Sequence, residues 1–518
     1  MISKINSSNL IGIQGFLVKV EVDITKGIPS FNIVGLASKE IKESRERVKS
    51  AIINTGYKFP NSRIVVNLSP ADMKKEGSFL DLPIAIGIMR SLIKKSDEYL
   101  SESVFVGELS LDGTLRKVNG ILPILISSKE NNIKRVFIPE DNLLESKLIK
   151  NIDIVPIKNL NQCIEYLNGK IKIDIEYITK INTESINNID IKKEDLNNQE
   201  DFSQVYGNSL AKRCAEISVA GNHNMLMIGS PGSGKTMIAR RMKSILPDME
   251  EDEIIEINKI YSSIGSISQD GYYLKDRPFR SPHHTITLKS LIGGGSDSKP
   301  GEVVLAHKGI LFLDEIAEFE KKTLDTLRQP IEDKKVNISR LKCNIQYPSD
   351  VLLIGAMNPC PCGNFKSNKE CSCKTFQIDR YKNKISGPLL DRFDLFVELN
   401  SIDYKQMQNL KPESSKTIKE RINKARVIQK ERFKDYNIKT NHEMKSNHID
   451  KFCLLDKDCK STLNLILDKY RISNRSYFNL IKVARTIADL DDELEVKQNH
   501  ILEAFGYKKA YIKYFGER

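Results

Sequence analysis

The chain has 518 residues, 40% of them hydrophobic and 29% charged, a composition ordinary for a globular protein of several domains with large buried cores. No apolar run approaches the roughly 18 residues a membrane helix needs, and the first residues lack the charged-then-apolar layout of a signal peptide, so the expectation is a cytoplasmic protein without a membrane partner. The net charge of +12 (80 basic against 68 acidic residues) favours an anionic partner such as nucleic acid, and nine cysteines in an intracellular chain point to thiols or metal rather than disulfides.

Residues 1–170 alternate short β-like runs (Phe16–Val22, Ile64–Leu68, Val104–Gly107) with helical stretches such as Leu82 to Leu92, which predicts a compact α/β domain. From 171 to 201 the chain turns polar and rich in Asn, Lys and Glu, the composition of a linker.

Residues 202–400 predict a nucleotide-binding α/β domain. The apolar run Met225–Ile228 leads into Gly229, Ser230, Pro231, Gly232, Ser233, Gly234, Lys235 and Thr236, which match G-x-x-x-x-G-K-[ST], and then into the helix-like Met237–Lys243. Strand, glycine turn and helix N-terminus make a phosphate cradle: backbone N–H groups close around phosphate oxygens, and the helix dipole favours the anion. Lys235 would reach the β- and γ-phosphates of ATP, and Thr236 would ligate Mg²⁺. A chance glycine-rich turn before a helix would lack the second motif, Ile310–Leu313 ending in Asp314 and Glu315. There a central parallel strand delivers two carboxylates at its C-terminal edge, Asp314 suited to the Mg²⁺ shell and Glu315 to polarising the attacking water. Alone, such a pair is usually a helix cap.

Lys334 to Tyr347 reads as a β-hairpin whose basic residues Arg340 and Lys342 could track DNA phosphates, a solvated basic turn being the bland alternative. Val351–Met357 is another buried strand, ending in Asn358, which can hold the lytic water or simply open an Asn-Pro turn. Cys360, Cys362, Cys371 and Cys373 form two C-x-C pairs that could enclose one Zn²⁺ or stay a cluster of reduced thiols. His283 and His284, among Arg, Ser and Pro, read better as a loop touching a partner or the nucleotide than as metal ligands. Ser386 to Asp394 offers Arg392, either a guanidinium for a neighbouring subunit's phosphates or a solvated arginine. Residues 401–518 look all-helical, for example Lys416–Phe433 and Tyr477–Leu490, the latter with Leu480, Ile481, Ala484, Ile487 and Ala488 on one face.

Beyond these motifs, Asp201–Gly207, Arg277–His284, Leu291–Gly295, Pro300–Val303, Met357–Gly363 and Lys482–Leu490 make the chain resemble the AAA+ magnesium-chelatase-like family, of the ComM/YifB competence-related type. The resemblance runs nearly end to end, and the 277–300 stretch and the Cys-Pro-Cys-Gly element are particular to that type. It implies an α/β protein: a Lon-protease-like domain (1–170), a linker (171–201), an AAA+ P-loop ATPase domain (202–400) and a helical lid domain of magnesium-chelatase type (401–518). It makes Asn358 the sensor-1 residue, Arg392 a trans-acting finger, and Arg475 the sensor-2 residue with Arg485 as runner-up. A finger implies a homo-oligomer, here a hexameric ring, and the 334–347 hairpin would project into its channel. Lys75–Asp81, Gly107–Gly113 and Ile138–Asn142 carry the Lon resemblance. Its catalytic serine position falls on Phe79 and its lysine on Leu122, with Ser78 one position off, so the domain reads as a catalytically dead scaffold for DNA binding or ring assembly. The implied function is an ATP-driven motor on branched or single-stranded DNA, promoting branch migration during recombination. The alternatives are an ATPase that remodels a protein partner, as in magnesium chelatase, and an ATP-dependent protease, against which Phe79 and Leu122 argue.

Overall fold

The computed structural model describes residues 2–75, 77–173, 200–266, 273–295, 299–339, 344–366, 369–400, 412–470 and 473–516. Most of the expected linker lies outside the described residues, and so do Arg340 and Lys342. Contacts divide the chain into two units, Met1–Lys193 with Glu250–Lys275, and Glu194–Met249 with Asp276–Arg518.

The first unit is built on seven strands: β1 (Ile2–Ile11), β2 (Gln14–Thr25), β3 (Ser30–Val34), β4 (Arg63–Ser69), β5 (Ser103–Phe105), β6 (Arg135–Pro139) and β7 (Asp153–Ile157), in the order β3-β4-β2-β1-β5-β6-β7. β1 and β2 form a long antiparallel hairpin from Ile2↔Asp23 to Ile11↔Gln14, while β5, β6 and β7 run parallel. β4 alternates as a strand with one covered face should: Ile64, Val66 and Leu68 are fully buried between more exposed neighbours. Helix α1 (Lys39–Asn54) starts where the Ser38 hydroxyl accepts the Ile41 N–H, and it buries Ile41, Val48, Ala51 and Ile52. Helix α2 (Asp81–Ile88) is buried on all sides, in keeping with its nearly unbroken apolar sequence.

The helix Glu251–Ser263 also belongs to this unit. The Gly120 N–H donates to the Ser262 carbonyl at 2.8 Å, and the Leu122 N–H donates to Ser262 Oγ at 3.3 Å. Ser262 Oγ in turn bonds the Glu145 carboxylate. The 202–400 stretch is therefore not contiguous in its contacts: it leaves the second unit after Met249 and returns at Asp276.

The second unit contains α3 (Ser209–Gly221), β8 (Met225–Gly229), α4 (Lys235–Arg241), β9 (Phe279–Arg280), β10 (Ile310–Leu313), β11 (Lys335–Ser339), β12 (Asn344–Pro348), β13 (Leu352–Met357), β14 (Leu395–Leu399), α5 (Ser415–Arg432) and α6 (Asn474–Leu490). Five of the strands make one parallel sheet, β9-β10-β13-β8-β14. β8, β10 and β13 are buried along their whole length, which explains their unbroken apolar runs. β11 and β12 pair as the expected hairpin, Lys335↔Pro348 to Ser339↔Asn344. The C-terminal helices share the sheet's core: Met225, Ile354 and Val397 belong to one cluster with Ile422, Leu480 and Ile487. Leu480, Ile481, Ala484, Ile487 and Ala488 of α6 are all buried, as their spacing requires. No helix among the described residues is long and apolar enough to cross a membrane.

Candidate nucleotide site and four-cysteine loop

Three neighbouring strands, β8, β13 and β10, end side by side, and each delivers one part of the site. This is the C-terminal edge of a parallel sheet, beside the strand where the order reverses, the place such sheets bind ligands. β8 runs into the phosphate loop, where Gly234 holds φ +93° at the start of α4, a left-handed backbone that other residues rarely adopt.

Lys235 is buried, and its Nζ donates to the carbonyls of Gly229 (2.7 Å) and Ser230 (3.0 Å) and to Asn358 Oδ1 (3.0 Å). Burial pushes its ammonium down, and the carboxylates of Asp314 and Glu315 act in the opposite direction. Thr236 Oγ1 donates to Asp314 Oδ2 at 2.7 Å. A hydroxyl and a carboxylate beside a phosphate loop are hard oxygen donors, the set Mg²⁺ takes together with substrate phosphates, so these residues fit that ion. Glu315 sits in the left-handed region (φ +49°), its N–H donating to Asp314 Oδ1 at 3.0 Å, and its carboxylate stays half-exposed. His284 Nδ1 stands 4.0 Å from Glu315 Oε2, with the His283 ring centroid 4.1 Å from that of His284 and the two rings tilted by 35°. The structure thus brings Lys235, Thr236, Asp314, Glu315 and Asn358 together and adds His284 beside the glutamate.

The arginines are elsewhere. Arg392 is ion-paired with Glu332, and Arg475 Nη1 lies 3.9 Å from the same carboxylate. Burial first, and then the Arg475 charge, push the Arg392 guanidinium down. Both line a cavity of about 590 Å³ with Lys334, Lys445 and Lys482. Among the described residues no hydrogen bond or ion pair joins either arginine to Lys235, Thr236, Asp314 or Asn358. Arg485, the alternative sensor-2 residue, is 1% exposed and fully engaged by Asp489 and by the carbonyls of Glu493 (2.6 Å) and Leu494 (2.7 Å). A side chain enclosed in that way braces the end of α6 and cannot reach a nucleotide. Glu332 has no sequence signal that would single it out.

Immediately after Asn358 the chain forms the cysteine loop. The sulfurs of Cys360 and Cys362 are 3.4 Å apart, Cys360 and Cys371 3.7 Å, Cys362 and Cys371 3.6 Å, and all four with Cys373 lie within 4.8 Å of one another. A tetrahedron with Zn–S bonds of about 2.3 Å has edges of about 3.8 Å, so the donor set fits zinc. The Asn364 N–H, helped by the Cys360 and Cys373 thiols, pushes the Cys362 thiol down to about 5. The loop touches the phosphate loop: Gly363, at φ +81°, packs so closely on Pro231 that a Cβ there would lie 2.3 Å from the proline ring.

In the first unit, Phe79 and Leu122 are core residues, 9% and 0% exposed. The nearby Ser78 hydroxyl donates to Glu108, and the buried Lys75 ammonium donates to the Pro70 carbonyl.

Comparison with known proteins matches three family models to this chain. "Magnesium chelatase, subunit ChlI" covers residues 201–407, "Subunit ChlI of Mg-chelatase" covers 20–142, and "Magnesium chelatase, subunit ChlI C-terminal" covers 412–508. The chain is 40% identical over 499 residues to competence protein ComM of Haemophilus influenzae, covering 96% of this chain and 95% of that one. It is 39% identical over 512 residues to protein YifB of Escherichia coli, covering 98% and 97%. A shorter stretch of 173 residues, 29% of this chain and 30% of the other, is 26% identical to Lon protease 2 of Bacillus subtilis.

Proposed function

The chain belongs to the ComM/YifB type of the magnesium-chelatase-like family of AAA+ ATPases, and from that premise we propose that it is an ATP-driven ring motor that moves DNA and promotes branch migration during recombination. The observation that carries the reading is the convergence of Lys235, Thr236, Asp314 and Asn358 at adjacent strand ends. The phosphate loop's N–H groups and Lys235 hold the β- and γ-phosphates, the lysine exchanging its carbonyl partners for phosphate oxygens. Thr236 and Asp314 would hold Mg²⁺, which when bound neutralises phosphate charge. Glu315 orients the attacking water and accepts its proton, and the Asn358 amide fixes the water's other side.

Arg392 and Arg475 face a shared cavity with no hydrogen bond or ion pair to these site residues, among the described ones. For Arg392 that placement supports the delivery of a cation to the phosphates of a neighbouring subunit, as a homo-oligomeric, hexameric ring requires, with Arg475 as the sensor-2 residue. A ring multiplies a few basic hairpin residues around one DNA segment, and the +12 charge and the competence-protein relative support DNA as the substrate. A cytoplasmic location follows from the same reading. The four-cysteine loop is proposed to hold one structural Zn²⁺ beside the phosphate loop.

The magnesium-chelatase descriptions of the matched models favour a second reading, remodelling of a protein partner. Proteolysis fits poorly, because Phe79 and Leu122 offer neither hydroxyl nor amine. ATP turnover measured with and without branched DNA separates the two main readings. A rise with DNA supports the motor, and indifference to DNA favours the protein-remodelling ATPase.

A further inference from the structure

Three consecutive residues of the second unit, Asn441, His442 and Glu443, form a single helical turn, and each grips a different element. Asn441 is fully buried and anchors the turn to the C-terminal helices: its Nδ2 donates to Asp489 Oδ2 (2.7 Å) and Thr486 Oγ1 (3.0 Å) of α6. Its Oδ1 accepts from Arg432 of α5 at 3.0 Å.

His442 Nδ1 donates to Asp394 Oδ2 at 2.8 Å, two positions beyond Arg392. Asp394 also faces the buried His223, 3.4 Å away. Burial would raise its carboxyl, and the two histidines overturn that and hold it well below the usual range. The Arg392 segment is fixed from the other side too, because Asn224 Nδ2 donates to the Arg392 carbonyl at 2.8 Å. His223, Asp394 and His442 have the spacing of a metal set, but the 2.8 Å contact is a hydrogen bond, and the charges of Lys482 and Lys508 already act on Asp394. The trio is a polar lock.

Glu443 Oε1 accepts from Lys334 Nζ at 2.6 Å. Lys334 is the residue before β11, at φ +54°, and its Nζ also lies 2.9 Å from Asp350, two positions before β13. Asp350 in turn holds Lys308 at 2.8 Å, near the foot of β10. One turn therefore ties the Arg392 segment, the root of the hairpin and the starts of the strands that carry Asn358 and Asp314 to the helical end of the chain.

We infer that the Asn441–Glu443 turn is a coupler that sets Arg392 and the β11–β12 hairpin in one register, so that hairpin displacement by DNA and delivery of Arg392 to a neighbouring site are a single motion. His442 and Glu443 are positioning residues: neither bonds a residue of the nucleotide site, and each acts through a charged partner, the buried Asp394 for His442 and the partly buried Lys334 for Glu443. The inference rests on the ring-motor reading above.

The test uses the full chain, with thermal midpoint and oligomeric state as controls for folding. His442→Ala is expected to lower kcat by up to about a hundredfold through misplacement of Arg392, with nucleotide affinity retained. Mixing it with Glu315→Gln subunits should restore part of the turnover, because those subunits supply a correctly held Arg392 to an intact site. His442→Gln, which keeps a donor toward Asp394, should recover most of kcat. Glu443→Gln, which removes the charge facing Lys334, should drive the ratio of DNA-stimulated to basal turnover toward one.

Normal kcat in His442→Ala, a loss that mixing does not rescue, or undiminished stimulation in Glu443→Gln would overturn the coupler. Where His442→Ala does not assemble, the Glu443→Gln ratio and the His442→Gln rate decide. A wild type that DNA does not stimulate sinks the DNA reading while leaving the His442 arm intact. A normal Arg392→Ala sinks the finger reading itself.

Discussion

Thr236 and Asp314, 78 positions apart in the chain, share a hydrogen bond of 2.7 Å that closes the phosphate loop onto the end of the acidic strand, across the intervening β13. The two oxygen donors are already side by side, so an Mg²⁺ bound there meets a preassembled pair. This relationship makes the effects of single substitutions separable.

Lys235→Ala should weaken ATP binding, because it removes the cation aimed at the β- and γ-phosphates. Glu315→Gln should leave binding intact and stop turnover, because water activation alone is lost. Equilibrium nucleotide binding measured beside steady-state hydrolysis checks both. Loss of binding in Glu315→Gln, or normal binding in Lys235→Ala, would reassign these roles.

Arg392→Ala should cost on the order of a thousandfold in hydrolysis if the guanidinium serves a neighbour's phosphates. Because Glu315→Gln subunits still donate Arg392, mixed rings should recover part of the rate. Turnover of the two proteins, alone and mixed, is the measurement.

Much of this site is legible in the sequence because each part is a contiguous pattern. Gly229–Thr236, Ile310–Glu315 and Val351–Asn358 are apolar strands followed by the residues they deliver, and local periodicity suffices to find them. The hairpin is legible in the same way. Glu332, Asp350, His442 and Glu443 are not, since their partners are set by strand order and helix docking over long sequence separations. The resemblance leaves Arg485 as an alternative sensor-2 residue, and only the packed helix end shows that it is consumed by Asp489 and two carbonyls. The helix Glu251–Ser263 begins at a capping box of Glu250 and Glu253, and nothing local in the sequence says that it packs with the first unit.

Purified protein should carry about one zinc per chain, lost on Cys360→Ser or Cys371→Ser. Because Gly363 of the same loop rests on Pro231, metal loss should also weaken nucleotide binding. Metal analysis with nucleotide titration tests this. Metal-free protein of full stability would leave the four residues as plain thiols.

Burial would raise the Asp350 carboxyl, but the charges of Lys334 and Lys308 overturn that and hold it well below the usual carboxylate range. A carboxyl lowered by folding contributes stability that is complete above the unfolded value of about 4 and is lost as pH falls through the folded value. Asp350→Asn should therefore destabilise the second unit by about 3 kcal/mol near neutrality. The gap between wild type and variant should close in acid. Thermal midpoints measured from about pH 7 downward supply the check, and a gap that does not change with pH would exclude this ion pair as the cause.

The most direct test of the motor reading is conversion of a four-way DNA junction, with ATP and at fixed ionic strength. Wild type should convert the junction, and replacing Arg340 and Lys342 together with Ala should reduce both DNA affinity and its salt dependence, since fewer phosphates are neutralised. Conversion should fall with the affinity. Junctions left untouched by wild type, together with ATP turnover indifferent to every DNA offered, would contradict the account.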